Sequence, residues 1–464
     1  MSANVVTTVN PATNQTLESY PSLDNNGIDQ VLDRAVSVQA EWKKTPLAQR
    51  ATALRALGQI LRNEVEAHAT LISNEMGKPV TEARGEVLKC ALTCDYYADH
   101  IDEFLAPKTV KTEAVNSYVS YEPLGVIFAV MPWNFPYWQV IRFAAPTLAA
   151  GNAGLLKHAS NVTGSALAIQ SAIESAGFPA GLFTSLVVAD HSAVNRIVED
   201  PRVAAVTLTG SEKAGASVAE AAGRALKKTV LELGGSDPFV VLADANVEAI
   251  APFAVKARFI NTGQSCLCAK RFIVEQDVVS DFEGRIKAIV ENLVIGDPLD
   301  PATQIGPLAK ASFVNDIDKQ VQDSLAMGAR LVTGGHRIDG PGNYYAPTIL
   351  ADVTPDMPVF NQETFGPVLA LVAADSPEQA IGLANNSQYG LAASIWTANP
   401  AIGLELGSGI NSGALFVNGV VASDPRLPFG GVKLSGYGRE LSIEGMHEFV
   451  NVRAVWIGDM PSVA

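Results

Sequence analysis

The stretch Val203-Ala-Ala-Val-Thr-Leu-Thr-Gly-Ser-Glu-Lys-Ala-Gly215 decides the fold of this chain. An apolar, strand-like run ends in a turn bounded by glycines, a helical pattern covers 212–226, and a second strand-like run follows at 229–233. The same alternation begins upstream, with a strand-like run at 153–157 and a helical pattern at 162–176. Strands that alternate with helices form parallel sheets with right-handed crossovers. We therefore predict a doubly wound α/β domain.

Patterns on either side of this stretch predict the remaining elements. A second α/β alternation runs from 237 to about 432, and segments 115–121 and 448–457 alternate polar and apolar residues like half-exposed strands. An exposed strand of that kind needs a partner, which is often another subunit. The N-terminal part of the chain shows helical patterns at 28–44, 47–76 and 81–105.

Composition and charge limit the classes of function. With 464 residues, the chain is long enough for two or three domains. Its 33 basic and 48 acidic residues give a net charge of −15, which argues against binding nucleic acid or anionic membranes. The apolar runs stop well short of about 18 residues, and residues 1–8 lack the charged and apolar regions of a signal peptide. We therefore predict a cytoplasmic protein without a membrane segment.

The four cysteines are too few for a disulfide scaffold, which indicates a reducing compartment. Cys90 and Cys94 lie in a helical pattern with no His or further Cys nearby, so we predict packing roles and no metal site. Cys266 and Cys268 share the turn Asn261-Thr-Gly-Gln-Ser-Cys-Leu-Cys-Ala-Lys-Arg271, between a helical pattern and a strand-like run. Such a turn fixes and exposes a side chain, so Cys266 is a candidate nucleophile. The alternative is a small buried hydrophobic residue.

Three further features could carry chemistry. The turn 209–215 leaves the first N–H groups of a helix free for a pyrophosphate, although an ordinary glycine-rich turn has the same pattern. Asn134 precedes a predicted helix, which Pro136 suits as a first-turn residue, and either caps it or points its amide into a site. Glu232 ends an apolar strand, where burial would raise its pKa and make it a useful base. A structural, hydrogen-bonded carboxylate is the alternative.

Taken together, these pieces resemble the signature blocks of the aldehyde dehydrogenase superfamily. The blocks are Met131-Pro-Trp-Asn-Phe-Pro136, Leu231-Glu-Leu-Gly-Gly235, Gly263-Gln-Ser-Cys266, Glu363-Thr-Phe-Gly-Pro367 and Pro428-Phe-Gly-Gly-Val-Lys433. They follow the family's order and spacing, and the resemblance covers essentially the whole chain. The turn around Cys266 and Arg142 further resemble the succinate-semialdehyde branch in its shorter bacterial form.

The resemblance implies a catalytic set. Cys266 attacks the aldehyde carbon as a thiolate, and Asn134 with the Cys266 N–H stabilises the oxyanion by roughly a few kcal/mol. Hydride transfer to a nicotinamide leaves a thioester, and Glu232 activates the water that releases the acid. The residues implied for cofactor binding are Trp133, Lys157, Ser160, Gly210, Ser211, Gly215, Leu233, Glu363 and Phe365. Those implied for substrate binding are Arg142, Trp138, Ser265 and Ser423.

Ser160 bears on the choice of cofactor. At this position, NAD-preferring relatives often carry Glu, which bonds the ribose 2′-OH and repels a 2′-phosphate. Ser160 is small, neutral and a donor. We therefore predict that NADP is accepted and preferred, while the loss of repulsion alone would permit NAD as well.

Arg142 bears on the choice of substrate. It lies eight residues after Asn134, about two helical turns on, and so could share its face. The resemblance makes it a carboxylate anchor for succinate semialdehyde, with Ser423 as a helper; a surface ion pair is the alternative. The larger members of the branch have a second anchoring Arg where this chain has Ile260.

Cys268 resembles the partner in family members that form a reversible Cys-x-Cys disulfide, and a structural role is the alternative. The resemblance further implies three units: a dinucleotide-binding domain (1–107 and 125–233), a catalytic domain (234–432) and a small β oligomerisation arm (108–124 and 446–464). Strand addition through the arm would give a homodimer or homotetramer.

Four other functions compete with this hypothesis. A broad-specificity aldehyde dehydrogenase would keep the same mechanism. A CoA-acylating enzyme would not need Glu232 to activate water. A cysteine hydrolase would want a His paired with the thiol, and none of the six His residues lies in an obvious active-site motif. A catalytically idle relative would not need the intact set of Cys266, Glu232 and Asn134.

Overall fold

The computed structural model describes residues 5–190 and 192–459. Its α-helices, numbered in chain order, are α1 Asn25–Trp42, α2 Leu47–Asn63, α3 Val65–Met76, α4 Val80–Phe104, α5 Trp138–Ala149, α6 Thr163–Ser175, α7 Ser192–Glu199, α8 Glu212–Arg224, α9 Val247–Phe259, α10 Gln276–Val290, α11 Ala311–Ala326, α12 Pro358–Asn361, α13 Pro377–Asn385, α14 Pro400–Gly407 and α15 Ser442–His447. Short 3₁₀ helices lie at Ser160–Val162 and Ile260–Gly263.

The strands of the described residues are β1 Val5–Val9, β2 Thr16–Pro21, β3 Lys108–Thr109, β4 Asn116–Pro123, β5 Val126–Met131, β6 Ala153–His158, β7 Phe183–Ser185, β8 Val203–Thr209, β9 Lys228–Glu232, β10 Asp237–Val241, β11 Ala269–Glu275, β12 Arg330–Thr333, β13 Thr348–Ala351, β14 Val368–Ala374, β15 Tyr389–Gly390, β16 Ala392–Trp396, β17 Ala414–Val417, β18 Val432–Lys433, β19 Gly436–Tyr437 and β20 Val450–Ile457.

The first large sheet has the strand order β19-β9-β8-β5-β6-β7. Its five strands from β5 to β9 pair in parallel, and the chain winds to one side of β5 through β6 and β7 and to the other through β8 and β9. The predicted doubly wound α/β fold is confirmed. The edge strand β19 is an addition that the alternation did not predict, since it returns from the C-terminal part of the chain and pairs antiparallel with β9.

The second large sheet has the order β12-β13-β14-β11-β10-β16-β17. Its strands pair in parallel except for the edge strand β12. Both faces are covered, because successive residues of β10 enter different cores: Phe239 and Val241 pack with α9 and α10, and Val240 packs with α11 and α13. This double burial explains why these strands are continuous apolar runs in the sequence.

Two predicted helices differ from the structure. The pattern over 47–76 forms two helices, because Glu64 leaves helical geometry at φ −107° and ψ 16°. Helix α5 begins at Trp138, so Asn134 lies in the turn before the helix and does not cap it. The spacing argument that placed Asn134 and Arg142 on one helical face was therefore wrong.

A small antiparallel sheet stands apart from the two large ones. Strand β20 pairs with β4 along its whole length, from Val450 opposite Pro123 to Ile457 opposite Asn116, and β3 covers part of the other edge of β4. Val452 and Trp456 on β20 are about 60% exposed. Among the described residues, no helix combines the length and the apolar character needed to cross a membrane.

Candidate active site

Two cavities meet at Cys266. The first cavity has a volume of about 550 Å³ and extends from Cys266 to the turn at Gly210 and Ser211. The second cavity, of about 520 Å³, extends from Cys266 between α4, α5 and α9 toward Ser423. Cys266 and Gln139 line both cavities. A thiol at such a junction can react with a molecule held on one side while a second molecule approaches from the other.

The chain enters the Cys266 turn through three consecutive residues in the left-handed region. Asn261 has φ 54°, Thr262 φ 56° and Gly263 φ 73°. The first two are residues with a Cβ atom, and such residues rarely adopt this backbone conformation. Gly263 cannot be replaced, because a Cβ there would collide with the carbonyl oxygen of Gly366. Strain of this kind persists only where neighbouring groups hold it.

Several hydrogen bonds hold the strained entry. Glu82 of α4 accepts from the Asn261 N–H at 2.6 Å, and the Asn261 amide donates to the carbonyls of Asn134 at 2.8 Å and Gln264 at 3.0 Å. The Gln264 side chain accepts from the Ala309 N–H at 2.9 Å. The turn is therefore tied to three separate parts of the chain.

Lys270 holds the exit of the turn. Its ammonium group is fully buried and donates to the carbonyls of Ser265 at 3.0 Å and Cys266 at 2.9 Å. It also forms an ion pair with Glu363 at 3.4 Å. Burial raises the pKa of the Cys266 thiol to about 12, and the positive charge of Lys270 is the strongest influence that opposes this rise.

Asn134 lies beside the candidate nucleophile. The strand β5 ends at Met131, and the following turn brings the Asn134 side chain over the Cys266 turn, where its amide donates to the Gln264 carbonyl at 3.1 Å. The side-chain amides of Asn134 and Gln139 lie 2.9 Å apart. An amide donor placed next to a thiol can stabilise an oxyanion that forms on a carbonyl attacked by that thiol.

Glu232 lies behind the wall of the first cavity, next to Leu233 and Gly234, which line it. Its carboxyl group is buried, and neither oxygen has a hydrogen-bond partner among the described residues. Burial raises the pKa of Glu232 well above its usual range, and the nearby carboxylate of Glu440 raises it further. A raised pKa makes the carboxylate form of such a group a stronger base, which suits it to accept a proton from water.

The first cavity fits a dinucleotide. Gly210 and Ser211 place the N-terminus of α8 at its edge, and a helix N-terminus binds phosphate through its N–H groups and dipole. Gly215 lets α8 approach closely, since a Cβ there would lie 2.6 Å from Leu233. Glu363 lines the cavity and accepts from the Gly235 N–H at 3.0 Å.

The apolar wall of the first cavity includes Trp133 and Phe365, whose rings meet edge to face at 5.8 Å. Two residues predicted for cofactor binding, Lys157 and Ser160, lie outside this lining, at and after the end of β6. Burial lowers the pKa of Lys157, and the charge of Lys310 lowers it further. These two cations act on each other, and with the small neutral Ser160 three residues after Lys157 they provide a setting for an anionic group.

Arg142 lines the second cavity, but its guanidinium already has a partner. It forms a buried ion pair with Glu440, stacks on the Phe429 ring at 4.6 Å and donates to the Thr209 hydroxyl at 3.3 Å. The alternative of a surface ion pair is wrong, because both partners are buried. The pair leaves Arg142 less free to bind a carboxylate than the sequence alone indicated.

The other residues predicted for substrate binding, Trp138, Ser265 and Ser423, line the second cavity. Cys268 lies outside both cavities, fully buried, and its thiol donates to the Ile260 carbonyl at 3.6 Å. Cys90 and Cys94 are also fully buried in the core.

Sequence reasoning gave no role to several groups that shape the site, namely Glu82, Lys89, Gln139, Lys270 and Glu440. One signal for Lys270 was available: it precedes the apolar run 272–274 in a buried strand, and a Lys in that setting must be satisfied internally. Lys89 shares a helical face with Glu82 and Glu86 at spacings of seven and three residues, a pattern that an ordinary solvated face also shows.

Comparison with known proteins agrees with this geometry. The aldehyde dehydrogenase family model matches residues 1–455, so this chain belongs to the aldehyde dehydrogenase family. It is 50% identical over 452 residues to a Synechocystis sp. protein described as a probable succinate-semialdehyde dehydrogenase for NADP(+), covering 97% of this chain and 99% of that protein. Escherichia coli succinate semialdehyde dehydrogenase for NAD(P)+ is 46% identical over 448 residues, covering 97% of each.

A solved structure is similar over nearly the whole chain as well. The crystal structure of succinic semialdehyde dehydrogenase from Streptococcus pyogenes in complex with NADP+ matches with a TM-score of 0.95 at 41% identity, covering 98% of this chain and 100% of that one. The family that the signature blocks resemble is confirmed.

The buried Arg142–Glu440 pair predicts a stability effect. Arg142→Leu should lower the free energy of unfolding by about 3–5 kcal/mol, because it leaves Glu440 buried without its cation. Removing both charges in Arg142→Leu/Glu440→Leu should recover most of that loss. Arg55→Leu is the control, since Arg55 and Asp99 are an exposed pair and the loss should stay below about 1 kcal/mol. Urea unfolding gives the free energy of unfolding of all three variants and of Glu440→Leu. If the double variant lost the sum of what Arg142→Leu and Glu440→Leu lose separately, the pairing would be contradicted.

Lys270 predicts an effect on thiol reactivity. Lys270→Met should slow alkylation of Cys266 by iodoacetamide at pH 8.5 by about tenfold, because losing the cation lowers the thiolate fraction. Mass spectrometry of the Cys266 peptide gives the rate. Lys256→Met, which removes a lysine from the wall of the second cavity, should leave the rate unchanged. Equal rates in wild type and Lys270→Met would rule out this role for Lys270.

Proposed function

We propose that this protein oxidises succinate semialdehyde to succinate with NADP or NAD as the hydride acceptor. The observation that carries the proposal is the position of Cys266 at the junction of a cavity that fits a dinucleotide and a second cavity whose wall contains the cations Lys89, Arg142 and Lys256 together with Glu82 and Glu86. The similarity to succinate-semialdehyde dehydrogenases over nearly the whole chain supports it.

In this proposal, the Cys266 sulfur adds to the aldehyde carbon and forms a thiohemiacetal. The Asn134 amide and the Cys266 N–H stabilise the resulting oxyanion. Loss of a hydride from the former aldehyde carbon converts the thiohemiacetal to a thioester. A nicotinamide bound in the first cavity would supply the acceptor for that hydride. Glu232 then takes a proton from the water that attacks the thioester, and the acid leaves as the Cys266 thiol is restored.

The cofactor would lie along the first cavity, with the pyrophosphate at Gly210 and Ser211 and the nicotinamide ribose at Glu363 and Phe365. Trp133 and Leu233 contribute apolar wall, and Gly215 keeps α8 close to it. Lys157 would hold the adenosine ribose, and Ser160 leaves room for a 2′-phosphate without a repelling carboxylate. We propose on this basis that NADP is the preferred cofactor.

The substrate would occupy the second cavity, with its aldehyde at Cys266 and its carboxylate among Arg142, Trp138 and Ser423, while Ser265 lines the end near the thiol. Arg142 contributes positive potential even though Glu440 partly neutralises it. A CoA-acylating reaction is the rival, and the buried Glu232 supports release by water instead.

We further propose the three units described by residues 1–107 with 125–233, 234–432, and 108–124 with 446–464. The exposed apolar side chains on β20 support pairing between subunits, as a homodimer or homotetramer. Four free thiols support a reducing compartment such as the cytoplasm. Cys268 as a redox partner of Cys266 stays a prediction.

The first experiment compares aldehydes of equal length. Absorbance at 340 nm should show that kcat/KM for succinate semialdehyde exceeds that for butanal at least tenfold, with acid released in the absence of CoA. Faster turnover of butanal would keep the family but remove the proposed substrate, and a requirement for CoA would favour the rival reaction.

The second experiment tests cofactor choice. Wild type should give a higher kcat/KM with NADP than with NAD, and Ser160→Glu should lower the NADP value at least tenfold, because a carboxylate repels the 2′-phosphate. Ser160→Gln has nearly the same size without the charge and should lose less. A tenfold preference of wild type for NAD would contradict the proposal.

A further inference from the structure

The second cavity contains a cation that neither the signature blocks nor the similarity to known proteins assigns. Lys89 on α4 lines this cavity together with Trp138, Arg142 and Ser423. Its ammonium nitrogen donates to the Ser423 hydroxyl at 2.8 Å and lies 4.0 Å from the centroid of the Trp138 ring. These two contacts fix the ammonium group at the cavity wall.

The two carboxylates that act on the charge of Lys89, Glu86 and Asp424, are paired with other cations. Glu86 on the same helix forms a buried ion pair with Lys78, and its other oxygen accepts from the N–H groups of Tyr137 and Trp138. Asp424 pairs with Arg426 at 2.6 Å. Among the described residues, no carboxylate therefore forms an ion pair with Lys89, although its charge is largely shielded from water.

The other two cations of the second cavity are placed differently. Arg142 is neutralised by Glu440. Lys256 on α9 is exposed, and its charge acts on Glu82, whose pKa burial raises to about 7. Lys89 is thus the partly buried cation of this cavity that has no anionic partner of its own.

The hydrogen-bonding capacity of this group suits a carboxylate. An ammonium group has three N–H donors, and Lys89 uses one of them on Ser423. The Ser423 hydroxyl accepts that bond and keeps its own proton to donate. Two nitrogen-bound hydrogens and one hydroxyl hydrogen are therefore free to bind the two oxygens of a carboxylate.

We infer that the Lys89 ammonium, held by Ser423 and Trp138, binds the carboxylate at the far end of an aldehyde whose carbonyl lies at Cys266. The inference rests on the proposed function, which places a carboxylate-bearing aldehyde in this cavity. Lys89 would then supply the second cation that the larger members of the branch have at the position of Ile260. Ile260 lines the same cavity but carries no charge. Arg142 then contributes to the electrostatic potential of the cavity, and Lys89 contacts the carboxylate directly.

The test compares wild type with Lys89→Met, which removes the charge and keeps most of the side-chain length. The kcat/KM for succinate semialdehyde should fall at least 30-fold through a higher KM, and the value for butanal should change less than threefold. Lys44→Met is the control for removing a lysine charge away from both cavities, since Lys44 is exposed and pairs with Glu41, and it should change both values less than threefold.

A second readout does not depend on which aldehyde is turned over. Succinate should inhibit butanal oxidation competitively, and Lys89→Met should raise its inhibition constant at least tenfold. Butyrate, which lacks the distal carboxylate, should inhibit wild type and Lys89→Met equally.

The outcomes separate the inference from the proposed function. If wild type prefers succinate semialdehyde and Lys89→Met keeps that preference, the function stands and the role of Lys89 is wrong. If wild type lacks the preference but succinate inhibits through Lys89, the substrate is wrong and the carboxylate site stands. Equal losses for both aldehydes in Lys89→Met would indicate a structural role, and no inhibition by succinate would refute the site.

The pH dependence gives an independent check. Burial and the charge of Arg142 on α5 lower the pKa of Lys89 to about 8, while Cys90 and Glu86 on its own helix and Asp424 on the facing loop oppose the shift. Below pH 8 the ammonium is charged. The ratio of kcat/KM for succinate semialdehyde to that for butanal should therefore be constant there and fall above it. In Lys89→Met the ratio should be low and independent of pH; a parallel fall in both enzymes would contradict the assignment.

Discussion

The strained entry to the Cys266 turn is the constraint on which the site depends. Three left-handed residues in succession cost roughly 1–3 kcal/mol for each one that carries a side chain. The cost is offset by the hydrogen bond that the Asn261 N–H donates to Glu82 on α4, by the bonds of the Asn261 and Gln264 side chains, and by Lys270 at the exit. Because these groups come from distant parts of the chain, the conformation of the turn depends on long-range contacts as well as on its local sequence.

Burial sets the protonation states within this frame. The Cys266 thiol and the Glu232 carboxyl both have raised pKa values, so the protein favours the neutral form of each. Lys270 is the cation that acts most strongly on the thiol, and Arg142 lowers the pKa of both groups, while Glu440 raises that of Glu232. A change at Arg142 would therefore alter the pKa of the nucleophile and that of the candidate base together.

The sequence predicted those features that repeat along the chain. Alternating strands and helices gave the parallel sheet around β5, and a turn between a helix and a strand gave the position of Cys266. It could not predict pairings between distant residues: nothing local to Arg142 indicates Glu440, which is nearly 300 positions away. Asn134 shows the same limit, since a helix cap and an amide turned toward Gln264 look alike until the chain is folded.

The balance of charge in the second cavity shows how an acidic protein can bind an anionic aldehyde. The cavity wall contains both signs, but Glu86 is paired with Lys78 and Arg142 with Glu440. Lys256 is exposed and acts on Glu82, so Lys89 is the partly buried ammonium group of this wall without an anionic partner, and Ser423 and Trp138 fix its position. An uncharged aldehyde leaves that group without a partner, and an unpaired buried polar group discriminates more strongly than a difference in size does. Selectivity for a carboxylate would then arise as much from the cost of binding the wrong aldehyde as from attraction to the right one.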